Sequence, residues 1–151
     1  MPGKGLSKPV AWLVAILVTV AVALLCCSLC VGIPVWLNNL RLAHFAGNLF
    51  AYPLPRNTVV VERHSALGKV GNGNNCWYEA RQSDITTLSR EEIEQYYRDV
   101  SLPVVDPGSP YRPDAIAVGL AFEEVSGDGK LHFTLALYDI GPDTTLDFRC
   151  H

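Results

Sequence analysis

Between Val10 and Leu37 the sequence has no charged side chain. That absence excludes an ordinary surface helix, which needs a polar outer face. The run is longer than the roughly 20 residues required to cross about 30 Å of hydrocarbon. Residues 10–37 are therefore expected to form a transmembrane helix, after a short cytoplasmic tail at residues 1–9. An excess of basic charge is missing too. The chain carries 12 Lys and Arg against 15 Asp and Glu, and every acidic residue follows Leu37. An acidic outer domain excludes nucleic acid as a partner and argues against anionic lipid.

Constellations that would carry chemistry are also lacking. His64, Ser65 and His132 supply the residue types of a hydrolase triad, but no nucleophile-elbow glycines surround Ser65. They read better as strand-face and surface side chains. Asp128 between Gly127 and Gly129 lacks the further oxygen ligands that calcium requires, so it reads as a turn. No catalytic residue, metal or cofactor is expected.

Cysteine is scarce outside the apolar run. Cys26, Cys27 and Cys30 lie within it with no histidine or carboxylate nearby, and read as small polarizable packing residues. Beyond it only Cys76 and Cys150 remain, an even pair expected to form a disulfide in an oxidising compartment.

What the run does contain supports a span. Trp12 and Trp36 are 24 positions apart, about 36 Å at 1.5 Å per helical residue, which suits one indole at each membrane interface. Ala21-Val22-Ala23 resembles a signal-peptidase site. Cleavage there would leave Leu24 to Leu37 as an apolar N-terminus with nowhere to bury, so the segment is expected to stay attached. Lys4, Lys8 and the chain terminus before the run, against Arg41 and Arg56 after it, bias the N-terminus to the cytoplasm. The expected location is the plasma membrane, single-pass, with the C-terminal domain outside. Ala11, Ala15, Thr19, Ala23 and Cys27 recur every fourth position, a small-residue ridge of the kind that lets two membrane helices approach closely.

Residues 38–57 read as a juxtamembrane connector, whose apolar Leu40, Leu42, Phe45, Leu49 and Phe50 are expected to pack under the domain, the alternative being a helix continued along the interface. Residues 58–151 read as an extracytoplasmic α+β domain. Val59-Val60-Val61 opens a strand, and Gly71-Asn72-Gly73-Asn74-Asn75 is dense turn chemistry before a return strand from Cys76. Ser89 and Glu92 form a capping box, with Leu88 and Ile93 placed as a hydrophobic staple. Ile93, Tyr96, Tyr97 and Val100 then follow helical spacing, and Ile93, Tyr96 and Tyr97 are expected to lie on the bulky face of the sheet. Residues 101–114, with four prolines, read as a loop without regular structure. Residues 115–122 and 131–138 alternate as two strands about a turn at Ser126 to Gly129. The expected order is ββαββ, a mostly antiparallel sheet with a helix on one face.

Tyr52-Pro53-Leu54-Pro55, Asn57-Thr58-Val59, Gly71 to Asn74 and Leu88-Ser89 through Tyr96-Tyr97 together resemble a set of small membrane-anchored bacterial proteins. The resemblance covers roughly residues 52–100. It implies a bacterial envelope setting, with no established activity and no functional residue to carry over.

The expected function is a membrane-anchored binding or complex-accessory module without a catalytic role. Its partners would be the lipid bilayer and another membrane or envelope protein, or a second copy through the ridge. Loop residues Asn72, Asn74, Tyr111 and Arg112 are the candidate ligand or partner contacts. The alternative is an envelope hydrolase or small-ligand sensor with a pocket between the sheet and the loops at 68–75 and 101–114.

Overall fold

A computed structural model describes residues 8–69, 75–108, 112–123, 129–141 and 147–150. Its first element is a 43-residue helix, α1 (Lys8–Phe50), about 64 Å long by helical rise. It is long and apolar enough to cross a membrane, and its most apolar window is wholly unburied. Pro34 is accommodated inside the helix. The helix does not stop at Leu37 but runs on through the residues read as a connector.

Its last part packs on the domain. Asn38, Phe45, Ala46 and Leu49 are buried, a stripe at spacings of seven, one and three residues that returns to one side of a helix. Phe45 meets the Tyr78 ring edge-on at 6.4 Å. No basic residue lies in the last turn of α1. Arg63 supplies the missing cation from a strand, donating to the Phe50 carbonyl at 2.8 Å and lying over the Phe50 ring.

Among the described residues six strands follow: β1 (Thr58–Lys69), β2 (Cys76–Thr86), β3 (Ser101–Pro103), β4 (Ala115–Ala117), β5 (Gly119–Phe122) and β6 (Leu131–Ile140). Helix α2 (Arg90–Tyr97) lies between β2 and β3. The main sheet is antiparallel throughout, in the order β1-β2-β6-β5, while β3 and β4 form a separate pair. The fold is α+β. Its order differs from ββαββ in two places. Residues 101–103 form a strand inside the supposed loop, and the strand expected at 115–122 divides at Val118. There the chain leaves β3, with the Val118 amide donating to the Val100 carbonyl, and joins β6.

One face of the main sheet is covered and the other is open. Register places Tyr78, Ala80, Gln82, Asp84 and Thr86 beside Asp139, Leu137, Leu135, Phe133 and Leu131, and all ten are buried. Ile93 and Tyr97 of α2 pack on this face, with the Tyr97 and Phe133 rings 6.3 Å apart. Tyr96 does not. It is 40% exposed, stacks edge-on against Tyr97 and Tyr52, and donates its hydroxyl to the Pro53 carbonyl. An eight-residue helix lying flat on a sheet buries one narrow stripe, and Tyr96 falls beside it. The capping box is formed: Ser89 Oγ accepts from the Glu92 amide, and Glu92 Oε2 accepts from the Ser89 amide.

Candidate functional site at the helix–domain junction

A buried polar network joins α1 to the C-terminal turn. Asn38 sits at the point where the helix meets the domain and is fully buried. Its Nδ2 donates to Asp147 Oδ2 at 2.9 Å and lies 3.5 Å from Cys76 Sγ. Its Oδ1 accepts from the Tyr78 hydroxyl at 2.9 Å. Tyr78 reaches this position because residue 141 is glycine. A Cβ there would lie 2.3 Å from the Tyr78 ring.

Asp147 is fully buried and held by Arg149 through one guanidinium edge, Nε to Oδ1 at 2.9 Å and Nη2 to Oδ2 at 2.6 Å. The Arg149 hydrogen bond holds the Asp147 carboxyl down at about 2, against the opposing pull of burial. Arg149 also reaches back to α1, donating to Asn39 Oδ1 at 2.7 Å and to the Val35 carbonyl at 3.3 Å. Burial pushes the Tyr78 phenol up, so it stays a neutral donor.

A disulfide closes the same site. Cys76 and Cys150 are bonded, with Cα atoms 4.8 Å apart and both residues fully buried. The covalent link pins the 3-10 turn at Phe148–Cys150 to the start of β2. Three separate fastenings therefore converge where α1 emerges from its exposed length: the Asn38–Asp147 bond, the Arg149 fork and the disulfide. A helix tied this way cannot swivel independently of its domain.

Of the other sequence-selected residues, Trp12 and Trp36 are exposed on α1, 72% and 59%. Ala11, Ala15, Thr19, Ala23 and Cys27 lie on the same exposed length. Thr19 Oγ1 donates to the Ala15 carbonyl at 2.9 Å, so its hydroxyl proton is satisfied within the helix. Arg112 is half-buried and paired with Asp139, which is itself buried, and it also bonds the Ile140 carbonyl. It fastens its loop to the end of β6. Asn72, Asn74 and Tyr111 lie outside the described residues, as does the turn at Asp128.

The histidines fall on the open face of the sheet. His64 pairs with Arg81 and His132 with Ile85, four residues further along β2, a separation of about 13 Å along the strand. Ser65 follows His64 and points to the opposite face, opposite the buried Ala80. The three do not converge. A polar concavity of 340 Å³ does lie on the open face, lined by Glu62, His64, Arg81, Ser83, Glu123 and Thr134. Within it Ser83 and Thr134 share a hydroxyl hydrogen bond at 3.2 Å. Among the described residues no group of three or more His, Cys, Asp or Glu is placed to hold a metal ion.

Sequence reasoning missed Asn38, Asp147 and Arg149. The available signal was an asparagine closing an apolar run and two opposite charges beside a cysteine. Neither identifies its partner 109 residues away. Compared with protein families, curated proteins and solved structures, the chain matches none.

Proposed function

We propose that this chain is a single-pass membrane protein that carries its α+β domain outside the cytoplasm as a non-enzymatic binding or complex-accessory module. The observation that carries the reading is the continuity of α1. One helix contains an apolar, exposed length suited to a bilayer and then, without interruption, the buried stripe that packs on the sheet. The junction network makes that connection stiff, as suits a domain that presents a surface at fixed orientation to a membrane partner. The open face of the main sheet, with its mixed polar lining and the exposed Tyr138 and Ile140, is the surface so presented. The partner is another membrane or envelope protein, or a second copy joined through the span.

The placement is tested by fusing alkaline phosphatase after the domain. The enzyme matures only outside the cytoplasm, so the fusion should be active, and an inactive but stable fusion would overturn the topology. The binding role is tested by placing a photo-crosslinking residue at position 132 or 138 on the open face. Protein adducts of discrete mass are expected there, and adducts to lipid or water alone would remove that face from the proposal.

A further inference from the structure

We propose that the C-terminal turn rests on the outer surface of the bilayer, with Phe148 inserted beside Trp36 into the interfacial zone of the lipid. The inference depends on the reading of α1 as a membrane span. Phe148 is 70% exposed, more than any other large apolar residue described beyond α1. It is not a loose end. Its neighbours Asp147 and Cys150 are fully buried, one held by Asn38 and Arg149 and the other by the disulfide. The turn therefore holds an aromatic ring outward on a rigid base.

Its height along α1 is fixed by Arg149. That side chain bonds the Val35 carbonyl and Asn39, one turn of helix with Trp36 between them. Trp36 and Leu40 are exposed at this level, 59% and 56%, and Arg41 and His44 follow on the next turn. The apolar length of α1 thus ends where the turn sits. Aromatic rings are favoured at that boundary, and an exposed apolar side chain joined to a span meets lipid before any other partner. The chemistry expected is apolar contact with acyl chains and glycerol. The N–H groups of Arg149 are directed at Asp147, Asn39 and Val35, so recognition of an anionic headgroup is not built in.

The test uses the full chain in phosphatidylcholine nanodiscs, with benzoylphenylalanine placed singly at position 148, 24 or 59. Leu24 lies in the exposed length of α1. Val59 is the second residue of β1, at the end opposite the Lys69–Cys76 pair that adjoins the disulfide. After irradiation, mass spectrometry should find phospholipid adducts at 148 and 24 and none at 59. Adducts at 24 without any at 148, or equal adducts at 148 and 59, would overturn the proposal while sparing the span. No lipid adduct at 24 would overturn the span itself, and this inference with it.

Discussion

The amide of Asn38 and the carboxylate of Asp147 meet at 2.9 Å with both residues fully buried, joining α1 to the C-terminal turn. Asn38 is a bridging residue, since the Tyr78 hydroxyl donates to its other end. Replacing it with leucine keeps the Cγ-branched shape, with greater bulk and a higher helix propensity, but removes both functions. The Tyr78 hydroxyl loses its acceptor, and among the described residues Asp147 keeps only Arg149. A buried polar group stripped of its partner costs about 1–3 kcal/mol. Asn38→Leu should therefore lower the melting temperature of the domain in detergent by several degrees, without changing membrane extraction behaviour. An unchanged melt would show that the junction contributes nothing to holding the domain.

The carboxylates of Asp147 and Asp84 should pull acid stability in opposite directions. Asp147 has its folded pKa depressed to about 2. Its contribution is present above the unfolded value and is lost as pH falls through the folded one, so the window runs from about pH 4 down to about 2. The shift corresponds to on the order of 2 kcal/mol. Asp147→Asn should flatten the acid limb of the stability profile below pH 4 and cost stability at pH 7. Parallel acid limbs in parent and variant would mean that another group controls acid unfolding.

Asp84 presents the reverse case. It is 1% exposed on the covered face of the sheet, and burial raises its pKa against the Gln82 hydrogen bond and the Arg63 charge. Its Oδ1 and the Tyr97 hydroxyl are both buried without a hydrogen-bond partner among the described residues. Burial pushes the Tyr97 phenol up, and the Asp84 charge pushes it further. A raised carboxylate favours folding below its unfolded pKa, and that advantage fades as pH rises through the folded value. Asp84→Asn removes the buried charge while leaving an oxygen to accept from Gln82 Nε2. Its melt at pH 7 should rise, by roughly 1 kcal/mol in stability, and the gain should shrink towards pH 3. A loss of stability at pH 7 would show that the ionised form is needed.

The elements that were legible from sequence are those with local causes. The capping box needs only Ser89 and Glu92, three residues apart, and the apolar length of α1 needs only the absence of charge. Alternation marked β6, since Leu131, Phe133, Leu135 and Leu137 all point inward. The extension of α1 was harder. Phe45 and Leu49 signal burial, but nothing local says whether helix or loop carries them. Asn38 looks like a helix terminator until Asp147 and Tyr78 are beside it. The covered face is misleading for the same reason: Gln82 and Asp84 break the apolar alternation of β2, yet both are buried. Their partners, Arg63 and each other, come from the fold.

The small-residue ridge on α1 leads to a prediction about association. Ala11, Ala15, Thr19, Ala23 and Cys27 are all unburied within one chain, so a neighbouring helix can reach them. In a straight helix each four-residue step advances about 40° around the axis. The five positions therefore wind as a ridge, the geometry that packs against a second helix at a crossing angle. Because Thr19 donates to the Ala15 carbonyl, close approach there leaves no unpaired hydroxyl proton in lipid. Ala15→Leu and Ala23→Leu preserve apolarity, so insertion should be unaffected. The added bulk would hold two backbones apart and remove their close contact. Disulfide-independent crosslinking in native membranes, or a membrane two-hybrid signal, should fall in both variants and remain in Val14→Leu, which lies off the ridge. An equal signal in all three would reduce the ridge to ordinary alanine content, and a partner would then be sought on the α+β domain.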